Sequence, residues 1–422
     1  MSRKRVVVTG IGAVSPIGNT VEEFWSNLLA GKSGAAPITY FDTTHFKTKF
    51  ACEVKSFDPL NYMDRKLSQR VDLFTQFALA ASEMAVNDSG IDFTKIDPYR
   101  VGVVYGSGIG GMWTYDSEQK KLYDTLEKPE NRYNPRRISP FFIPMLIADI
   151  AAGRISMRFK LKGPNYATIS ACTTSAHSVA DSVMLIQRGN ADVMVTGGSE
   201  AVICPMGVGG FNSMHALSIR NDAPEKASRP FDKDRDGFVM GEGGATLLLE
   251  ELEFAKSRGA KIYAEISGIG LTADAHHITE PAPEGEGVAE AMRIALKDAG
   301  ITEADVDCVN AHGTSTYYND KNETEAIKSV LGEHAKKTPV HSIKSMIGHL
   351  LGAAGAIESI ASVLTIRDGI IPPTINYNTP DPECDLNYVP NKAMKKEVNT
   401  VLCDNSGFGG HNTALIFRKF VE

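Results

Sequence analysis

The chain is 422 residues long, which is enough to bury a large core and to form about two to three domain-sized units. Hydrophobic residues make up 42% and charged residues 23%, an ordinary composition for a soluble α/β protein. The net charge of −7 argues against general nucleic-acid binding, and an acidic partner would need a local basic patch. The sequence lacks the apolar core and cleavage site of a signal peptide and any bilayer-length apolar stretch, so we expect a cytoplasmic protein without membrane contact.

Short β-type runs alternate with helical segments along the chain. The patterns predict strands at Arg5–Thr9, Val101–Tyr105, Tyr166–Ser170, Val193–Thr196, Ala245–Glu250, Val306–Ala311, Val340–Ile343 and Thr413–Arg418. They predict helices at Val21–Ala30, Ser68–Ser89, Thr174–Arg188, Gly285–Ala299, Lys321–Leu331 and Leu351–Arg367. This alternation indicates βαβ units and largely parallel sheets.

A weak internal repeat divides the chain. A β-type run in each half contains Gly-Ile-Gly, at residues 10–12 and again at residues 268–270. With the turn signal Arg258-Gly259, this repeat predicts two similar lobes, residues 1–260 and 261–422. The polar stretch Trp113–Arg137 is interpreted as an irregular surface excursion.

A glycine-rich stretch raises the question of dinucleotide binding. Gly106–Gly111 follows a predicted strand and satisfies G-x-G-x-x-G. However, the next residues are polar and charged, and no second strand ends in an acid at the required distance. The glycines are better explained by tight turns and close backbone packing, although an oxidoreductase stays among the alternatives.

One of the six cysteines has an unusual position. No pair forms C-x-x-C, so the sequence gives no indication of a zinc site. Cys172 lies between a predicted strand and a predicted helix, where the helix dipole would lower the thiol pKa and free N–H groups could hold an oxyanion. A core cysteine at a buried turn is an equally good interpretation of this position alone.

Two histidine motifs favour the reactive interpretation. His312 follows one predicted strand in Asn310–Thr316, and His349 closes Ser342–His349 after another. Each histidine adjoins a glycine, and Lys344 precedes the second by five residues. A nucleophilic cysteine with two histidines is a catalytic arrangement, whereas a lone histidine is more often structural.

Four segments together resemble the β-ketoacyl-acyl-carrier-protein synthases, nearest to the synthase II group of dissociated fatty-acid synthesis. The resemblance covers essentially the whole chain and rests on Ser170–Cys172, His312–Thr316, Lys344–His349 and Gly407–Gly410. It implies an acyltransferase of α/β class, with a thiolase-like five-layered αβαβα fold of two similar lobes, acting as a homodimer.

The resemblance also implies catalytic roles. Cys172 would take the acyl group from the carrier's phosphopantetheine, and the N–H groups of Cys172 and Phe408 would form the oxyanion hole. His312 and His349 would stabilise the enolate formed when the malonyl unit loses CO2. Phe408 would also gate the acyl pocket. Further positions matched by the resemblance are Lys344, held by Glu358, and the phosphopantetheine-binding Thr314 and Thr316. The resemblance also matches the pocket residues Ile109, Phe142 and Phe211, with Phe142 reaching across the dimer; plain core packing is the alternative for these three.

The implied partner is an acyl carrier protein, loaded with acyl or malonyl groups, and no bound cofactor is expected. Local positive charge for this acidic carrier would come from Arg65, Lys66, Arg70, Arg136 and Arg137. An ordinary solvated face is the alternative for these five residues.

Several departures from the family pattern leave the substrate open. Ser406 replaces an aromatic beside the gate, Gln69 replaces a basic docking residue, and Tyr317-Tyr318 replaces a proline-containing turn. Asp404 replaces an asparagine, which leaves open a monovalent-cation site near Asn310, Glu358 and Asp404. A specialised polyene or polyketide ketosynthase, a non-condensing chain-length factor and a cysteine hydrolase are further alternatives, although a chain-length factor would usually lack the cysteine and a hydrolase leaves His349 and Lys344 unexplained.

Overall fold

The computed structural model describes residues 3–124 and 135–422. Its α-helices are α1 (Val21–Leu29), α2 (Arg65–Ser68), α3 (Leu73–Ser89), α4 (Met112–Tyr123), α5 (Phe142–Leu146), α6 (Ile150–Phe159), α7 (Thr174–Gln187), α8 (Pro205–Ser213), α9 (Leu252–Ser257), α10 (Glu286–Ala299), α11 (Tyr317–Leu331), α12 (Lys344–Ile347) and α13 (Ala354–Asp368). Its strands are β1 (Val6–Val14), β2 (Ala36–Pro37), β3 (Phe50–Ala51), β4 (Val101–Gly106), β5 (Asn165–Tyr166), β6 (Val193–Glu200), β7 (Gly243–Glu251), β8 (Ala264–Ala273), β9 (Cys308–Asn310), β10 (Val340–His341), β11 (Ile370–Ile371), β12 (Met394–Lys395), β13 (Thr400–Gly407) and β14 (His411–Arg418).

A large mixed sheet runs through the molecule in the order β10-β9-β13-β14-β8-β1-β7-β6-β4-β5. A short pairing of β1 with β8 joins two halves, and both halves arrange their strands in the same chain order. β4 is parallel to β5 and β6, and β9 is parallel to β10 and β13, whereas the other neighbours are antiparallel. The prediction of largely parallel sheets is therefore wrong, since strands such as β13 and β14 are joined by a tight hairpin.

Helices cover both outer faces of the sheet halves and fill the space between them. α3 and α6 pack on the outside of the first half, and α10 and α11 lie on the outside of the second. The central helices α7 and α13 contact each other and strands of both halves. These layers form the αβαβα architecture that the sequence predicts, and nearly every residue of α13 is buried because it lies in the middle layer.

The repeated Gly-Ile-Gly marks equivalent helix contacts in the two halves. A Cβ atom on Gly12 would lie 2.0 Å from the carbonyl oxygen of Ala81 in α3. A Cβ atom on Gly270 would lie 1.8 Å from the carbonyl oxygen of Ala291 in α10. Glycine is needed at both places because the strand and the helix backbone are in direct contact. The predicted division near residue 260 stays a prediction.

Two predicted segments differ in the structure. Residues 112–123 form helix α4, so an irregular excursion is wrong there, and residues 125–134 of that stretch lie outside the described part of the chain. The strand predicted at Tyr166–Ser170 is reduced to Asn165–Tyr166, because the chain then turns toward Cys172. None of the helices in the described ranges combines the length and apolarity needed to cross a membrane.

Candidate active site

Cys172 lies on a single 3-10 turn, Ala171–Thr173, which leads directly into helix α7. The preceding Ala171 has φ of +52°, a conformation that costs energy for a residue with a side chain. The turn leaves Cys172 buried, with 8% of the residue exposed at the end of a cavity. The predicted position at the start of a helix is confirmed, with a strained turn in place of the strand.

The electrostatic surroundings of the sulfur differ from the prediction. Burial raises the pKa of the Cys172 thiol to about 12, whereas the nearby ammonium of Lys344 and the backbone N–H of Phe408 act in the opposite direction. The prediction of a lowered pKa is therefore wrong, because desolvation outweighs the favourable groups. The Phe408 N–H is hydrogen-bonded to the sulfur, so a backbone donor lies next to the position that a substrate carbonyl would take during attack.

His312 and His349 meet in front of the cysteine. Their ring centroids lie 5.3 Å apart with the planes at 86°, and one ring nitrogen of each lies within 4.8 Å of the other and of the Cys172 sulfur. His312 follows strand β9, as predicted. His349 follows the short helix α12 instead of a strand, because the chain coils between β10 and this residue.

The hydrogen-bond partners of both histidines indicate which ring nitrogen carries the proton. The Nδ1 atom of His312 lies 3.3 Å from the Lys344 ammonium and 3.3 Å from the Asn405 amide nitrogen. The Nδ1 atom of His349 accepts from the backbone N–H of Leu351 at 3.3 Å. Burial lowers the pKa of both imidazoles well below the usual value, so each ring is neutral. Each Nε2 atom therefore carries the proton and acts as a donor.

This tautomer excludes two other uses of the same three residues. A histidine that binds a metal usually donates its second ring N–H to an acceptor, whereas both Nδ1 atoms here face donors. In a cysteine or serine hydrolase, the Nδ1–H of the histidine base donates to an acceptor that orients the ring. Here the Nδ1 atoms face donors instead, namely Lys344, Asn405 and the Leu351 N–H. The site contains two neutral donors beside a thiol.

A buried ion pair contacts His312 on the Nδ1 side of its ring. The Lys344 ammonium donates to the Glu358 carboxylate and, at 2.5 Å, to the carbonyl oxygen of His312. The second Glu358 oxygen accepts from Asn405 at 2.5 Å. Glu323 accepts the backbone N–H groups of His312 and Gly313 at 2.6 and 2.8 Å. The predicted Lys344–Glu358 contact is present, and it fixes the ring that faces Cys172.

Oxygen atoms suited to a cation lie beside this network. The Asn310 amide oxygen is buried and finds no hydrogen-bond partner among the described residues, whereas the buried Asp404 carboxyl is paired with that of Glu323. Burial raises the pKa of Asp404 to about 7. The Glu323 and Asp404 carboxyls can share a proton, and together with the Asn310 oxygen they also offer oxygen ligands that suit a hard monovalent ion. Glu358 fits less well, because both of its oxygens already accept hydrogen bonds.

A cavity of about 440 Å³ runs from Cys172 to the surface. Thr314 and Thr316 line it, and their hydroxyl groups lie 2.8 Å apart. Phe211 and Phe408 also line it, whereas Ile109 and Phe142 do not line it in the single chain. Ile109 is 37% exposed, so the structure places it on the surface. The two threonines offer polar groups along the path by which a substrate reaches the sulfur.

The glycine-rich stretch after β4 surrounds a carboxylate. Glu200 accepts from the N–H groups of Gly108 at 2.8 Å, Ile109 at 3.2 Å and Gly352 at 2.9 Å. A Cβ atom on Gly108 would lie 2.7 Å from this carboxylate. Glu200 already occupies the backbone N–H groups that would otherwise bind a phosphate, which argues against the dinucleotide alternative.

The predicted carrier-docking residues form one basic region. Arg65 and Lys66 are exposed on α2, and Arg136 and Arg137 are exposed on the 3-10 turn Pro135–Arg137. The guanidinium of Arg70 lies 4.6 Å from the centre of the Phe141 ring, which brings the two segments together.

Sequence reasoning missed several residues that shape the site. Glu200 and Glu323 hold backbone around the catalytic residues, and Asn405 links His312 to Glu358. An acid that closes an apolar strand, as Glu200 closes β6, is a usable signal of a buried carboxylate with backbone partners. The partners of Glu323 and Asn405 are distant in sequence, so no local pattern could identify them.

A buried cysteine with two neutral histidine donors, in a two-part αβαβα fold, defines a carbon–carbon condensing class of acyltransferase. The family description "Beta-ketoacyl synthase, N-terminal domain" matches residues 3–255, and "Beta-ketoacyl synthase, C-terminal domain" matches residues 263–378. The chain belongs to the β-ketoacyl synthase family.

Relatives and solved structures extend this finding. The chain is 50% identical over its whole length to the full-length 3-oxoacyl-[acyl-carrier-protein] synthase 2 of Coxiella burnetii. It is 51% identical to that of Staphylococcus aureus (strain COL), with 99% of each chain covered. It superimposes on the ishigamide ketosynthase/chain length factor with a TM-score of 0.92 at 36% identity, covering both chains completely. It also superimposes on a chain of the AntDE:AntF complex, a type II PKS acyl-carrier protein with its ketosynthase bound to the hexaketide. The TM-score is 0.90 at 36% identity, and both chains are again covered completely.

Proposed function

We propose that this chain is a β-ketoacyl-acyl-carrier-protein synthase of the synthase II type, which elongates acyl chains by two carbons in fatty-acid biosynthesis. The observation that carries this proposal is the pair of Nε2–H donors of His312 and His349 facing the Cys172 thiol. Two donors at one point suit an oxygen that gains negative charge, as a malonyl thioester oxygen does when CO2 leaves.

The first half of the reaction transfers the acyl group. The Cys172 sulfur attacks the thioester carbonyl of the acyl-carrier, and the N–H groups of Cys172 and Phe408 stabilise the oxyanion. The carbon–sulfur bond to the carrier breaks, and the proton lost by Cys172 ends on the released phosphopantetheine thiol. Because burial raises the thiol pKa, the Lys344 charge and the Phe408 N–H must support the sulfur as its charge develops.

The second half forms the carbon–carbon bond. The malonyl thioester oxygen accepts hydrogen bonds from His312 and His349, the bond to the carboxylate breaks, and CO2 leaves an enolate. The enolate carbon attacks the acyl carbonyl on Cys172, the carbon–sulfur bond breaks, and the released thiolate takes a proton from water to restore the Cys172 thiol. Neutral imidazoles suit this role because they donate without having to lose a proton.

The proposal requires no bound cofactor, since phosphopantetheine arrives on the carrier protein. Thr314 and Thr316 would bind its amide groups along the cavity, as their position in the lining supports. A monovalent cation, if one binds, would be held by Asp404 and by Asn310, whose amide oxygen lacks a partner among the described residues. There it would supply positive charge behind the catalytic network.

The basic region formed by Arg65, Lys66, Arg70, Arg136 and Arg137 would dock the acidic carrier. The relatives that share about half of their residues with this chain carry the name of a synthase of carrier-bound oxoacyl chains. One superimposed structure contains an acyl-carrier protein in complex with its ketosynthase. We therefore propose carrier-bound acyl and malonyl groups as substrates, and action in the cytoplasm.

The proposal also includes a homodimer. Strand β5 forms an end of the large sheet, with β4 as its partner in the described chain. The surrounding surface is apolar: Tyr166 is 39%, Ile169 64% and Ile143 57% exposed. An open sheet edge with exposed apolar residues is suited to pairing with a second copy, which would also bring Phe142 toward a pocket across the interface.

The test is a condensation assay with purified acyl-carrier and malonyl-carrier substrates, read by mass spectrometry of the carrier. The proposal predicts a β-ketoacyl-carrier two carbons longer, formed from saturated acyl chains by the wild type and not by Cys172→Ala. Condensation of polyene or poly-β-keto starters alone would move the enzyme to a specialised pathway, and no condensation of any starter would contradict the proposal.

A further inference from the structure

The hairpin that carries Phe408 is attached to a second loop at the cavity mouth. β13 and β14 are joined through residues 407–410, with the Gly410 N–H donating to the Gly407 carbonyl at 3.0 Å. We define the mouth loop as residues 274–282, of which Asp274 and residues 279–281 line the cavity. The Gly409 N–H donates to the Ile278 carbonyl at 2.7 Å, so the hairpin tip and the mouth loop are in direct contact.

A chain of side-chain hydrogen bonds makes the same connection beneath the tip. The Ser406 hydroxyl donates to the amide oxygen of Asn412, its cross-strand neighbour, at 2.9 Å. The amide nitrogen of Asn412 donates to the Asp274 carboxylate at 2.6 Å. The other Asp274 oxygen accepts the Ala282 N–H at 3.0 Å, which closes the mouth loop on itself.

The direction of these bonds is set by Asp274. A carboxylate only accepts, so the nitrogen of Asn412 must face Asp274 and its oxygen must face Ser406. The Ser406 hydroxyl donates to that oxygen, and a side chain without a donor would leave the buried amide oxygen of Asn412 unsatisfied. Ser406 therefore completes the hydrogen bonding of the amide group that joins the hairpin to Asp274.

Asn412 and Asp274 pack closely against the start of helix α10. Asn412 is 2% exposed. A Cβ atom on Gly287, at the start of α10, would lie 2.0 Å from the Asp274 carboxylate and 2.5 Å from the Asn412 amide nitrogen. Glycine at 287 is thus what permits the pair to lie against the helix.

We propose that Ser406 is a positioning residue, which through Asn412 and Asp274 holds the Phe408 hairpin to the mouth loop and keeps the Phe408 N–H at the Cys172 sulfur. This inference rests on the proposed function, because it assigns Ser406 to the acyl-transfer half of that reaction. His312 is held by Lys344 and Asn405 and His349 by the Leu351 N–H, and none of these groups takes part in the hydrogen bonds from Ser406 through Asn412 to Asp274. Ser406 therefore affects acyl transfer and not malonyl decarboxylation.

Ser406→Ala tests the proposal, with Ser406→Thr restoring the hydroxyl. We expect Ser406→Ala to slow acyl transfer to Cys172 by about fivefold, from the loss of one hydrogen bond, and to leave malonyl decarboxylation unchanged. Ser406→Thr should recover most of the rate. The matched control is Thr413→Val, which removes a buried hydroxyl one residue from Asn412 that has no hydrogen-bond partner among the described residues.

Amide hydrogen exchange gives a readout that is independent of activity. We expect the amides of Gly409 and of the mouth loop to exchange faster in Ser406→Ala than in the wild type. We expect no such increase in Thr413→Val. Equal exchange and equal acyl-transfer rates in these two variants would overturn the proposal, as would an equal loss in both half-reactions. If the wild type itself formed no acyl adduct, the proposed function would fail, while the exchange data would still test the connection between hairpin and loop.

Discussion

The two histidines are predicted to act as hydrogen-bond donors through Nε2, and side chains of matched polarity can test this. In His349→Gln, the side-chain amide nitrogen can reach the place of Nε2. In His349→Asn, the amide group ends at the level of Nδ1, where the Leu351 N–H lies. Both variants are polar, neutral and unable to act as an imidazole base, so they differ mainly in the position of the side-chain N–H donor.

The expected magnitude follows from the loss of one donor to a developing oxyanion, which lowers a rate by about 100- to 1000-fold. His349→Asn should lose malonyl decarboxylation by about that factor, because no donor replaces Nε2–H. His349→Gln should lose only about tenfold, since a less well-placed N–H remains.

The assay is single-turnover release of CO2 from malonyl-carrier, measured without an acyl substrate so that only this half-reaction is observed. Acyl transfer to Cys172 should stay within about threefold of the wild type in both variants, because its oxyanion donors are backbone N–H groups. Equal loss of decarboxylation in the two variants would refute the reasoning, because it would mean that the imidazole transfers a proton.

Three further predictions concern the network, the thiol and the carrier surface. Lys344→Met leaves the buried Glu358 carboxylate without its ammonium partner, so calorimetry should show Tm lower by about 5 °C, and an unchanged Tm would argue against a stabilising pair. Because burial raises the Cys172 pKa to about 12, its thiolate fraction and its alkylation by iodoacetamide should rise about tenfold per pH unit from pH 7 to 9, whereas a plateau in that range would contradict the account. Arg65→Glu with Lys66→Glu should raise KM for the acyl-carrier at low salt with kcat unchanged, and an unaltered KM would remove this surface from the docking site.

Much of the fold and the core of the site could be predicted from local sequence patterns. Helices such as Thr174–Gln187 and Glu286–Ala299 have clear periodicity and end within a residue or two of their predicted limits. The order of four motifs identified the family, and the structure brings Cys172, His312 and His349 together.

The remaining features depend on contacts between distant residues. The sign of the Cys172 pKa shift comes from its burial in the folded chain, which a strand-to-helix pattern does not reveal. The antiparallel strands arise from how β7 and β14 return across the sheet. The polar stretch at Met112–Tyr123 folds as a helix because its few buried residues, Thr114 and Glu118, find partners in Asp72 and Ser139.

The most direct test of the account is the covalent intermediate itself. The enzyme is incubated with acyl-carrier in the absence of malonyl-carrier, and the protein is then examined by intact mass and peptide mapping. We predict one acyl group per chain, on Cys172, that disappears when malonyl-carrier is added and is absent from Cys172→Ala. An adduct on another residue, or no adduct under conditions in which the wild type condenses, would contradict the central claim that Cys172 carries the growing chain.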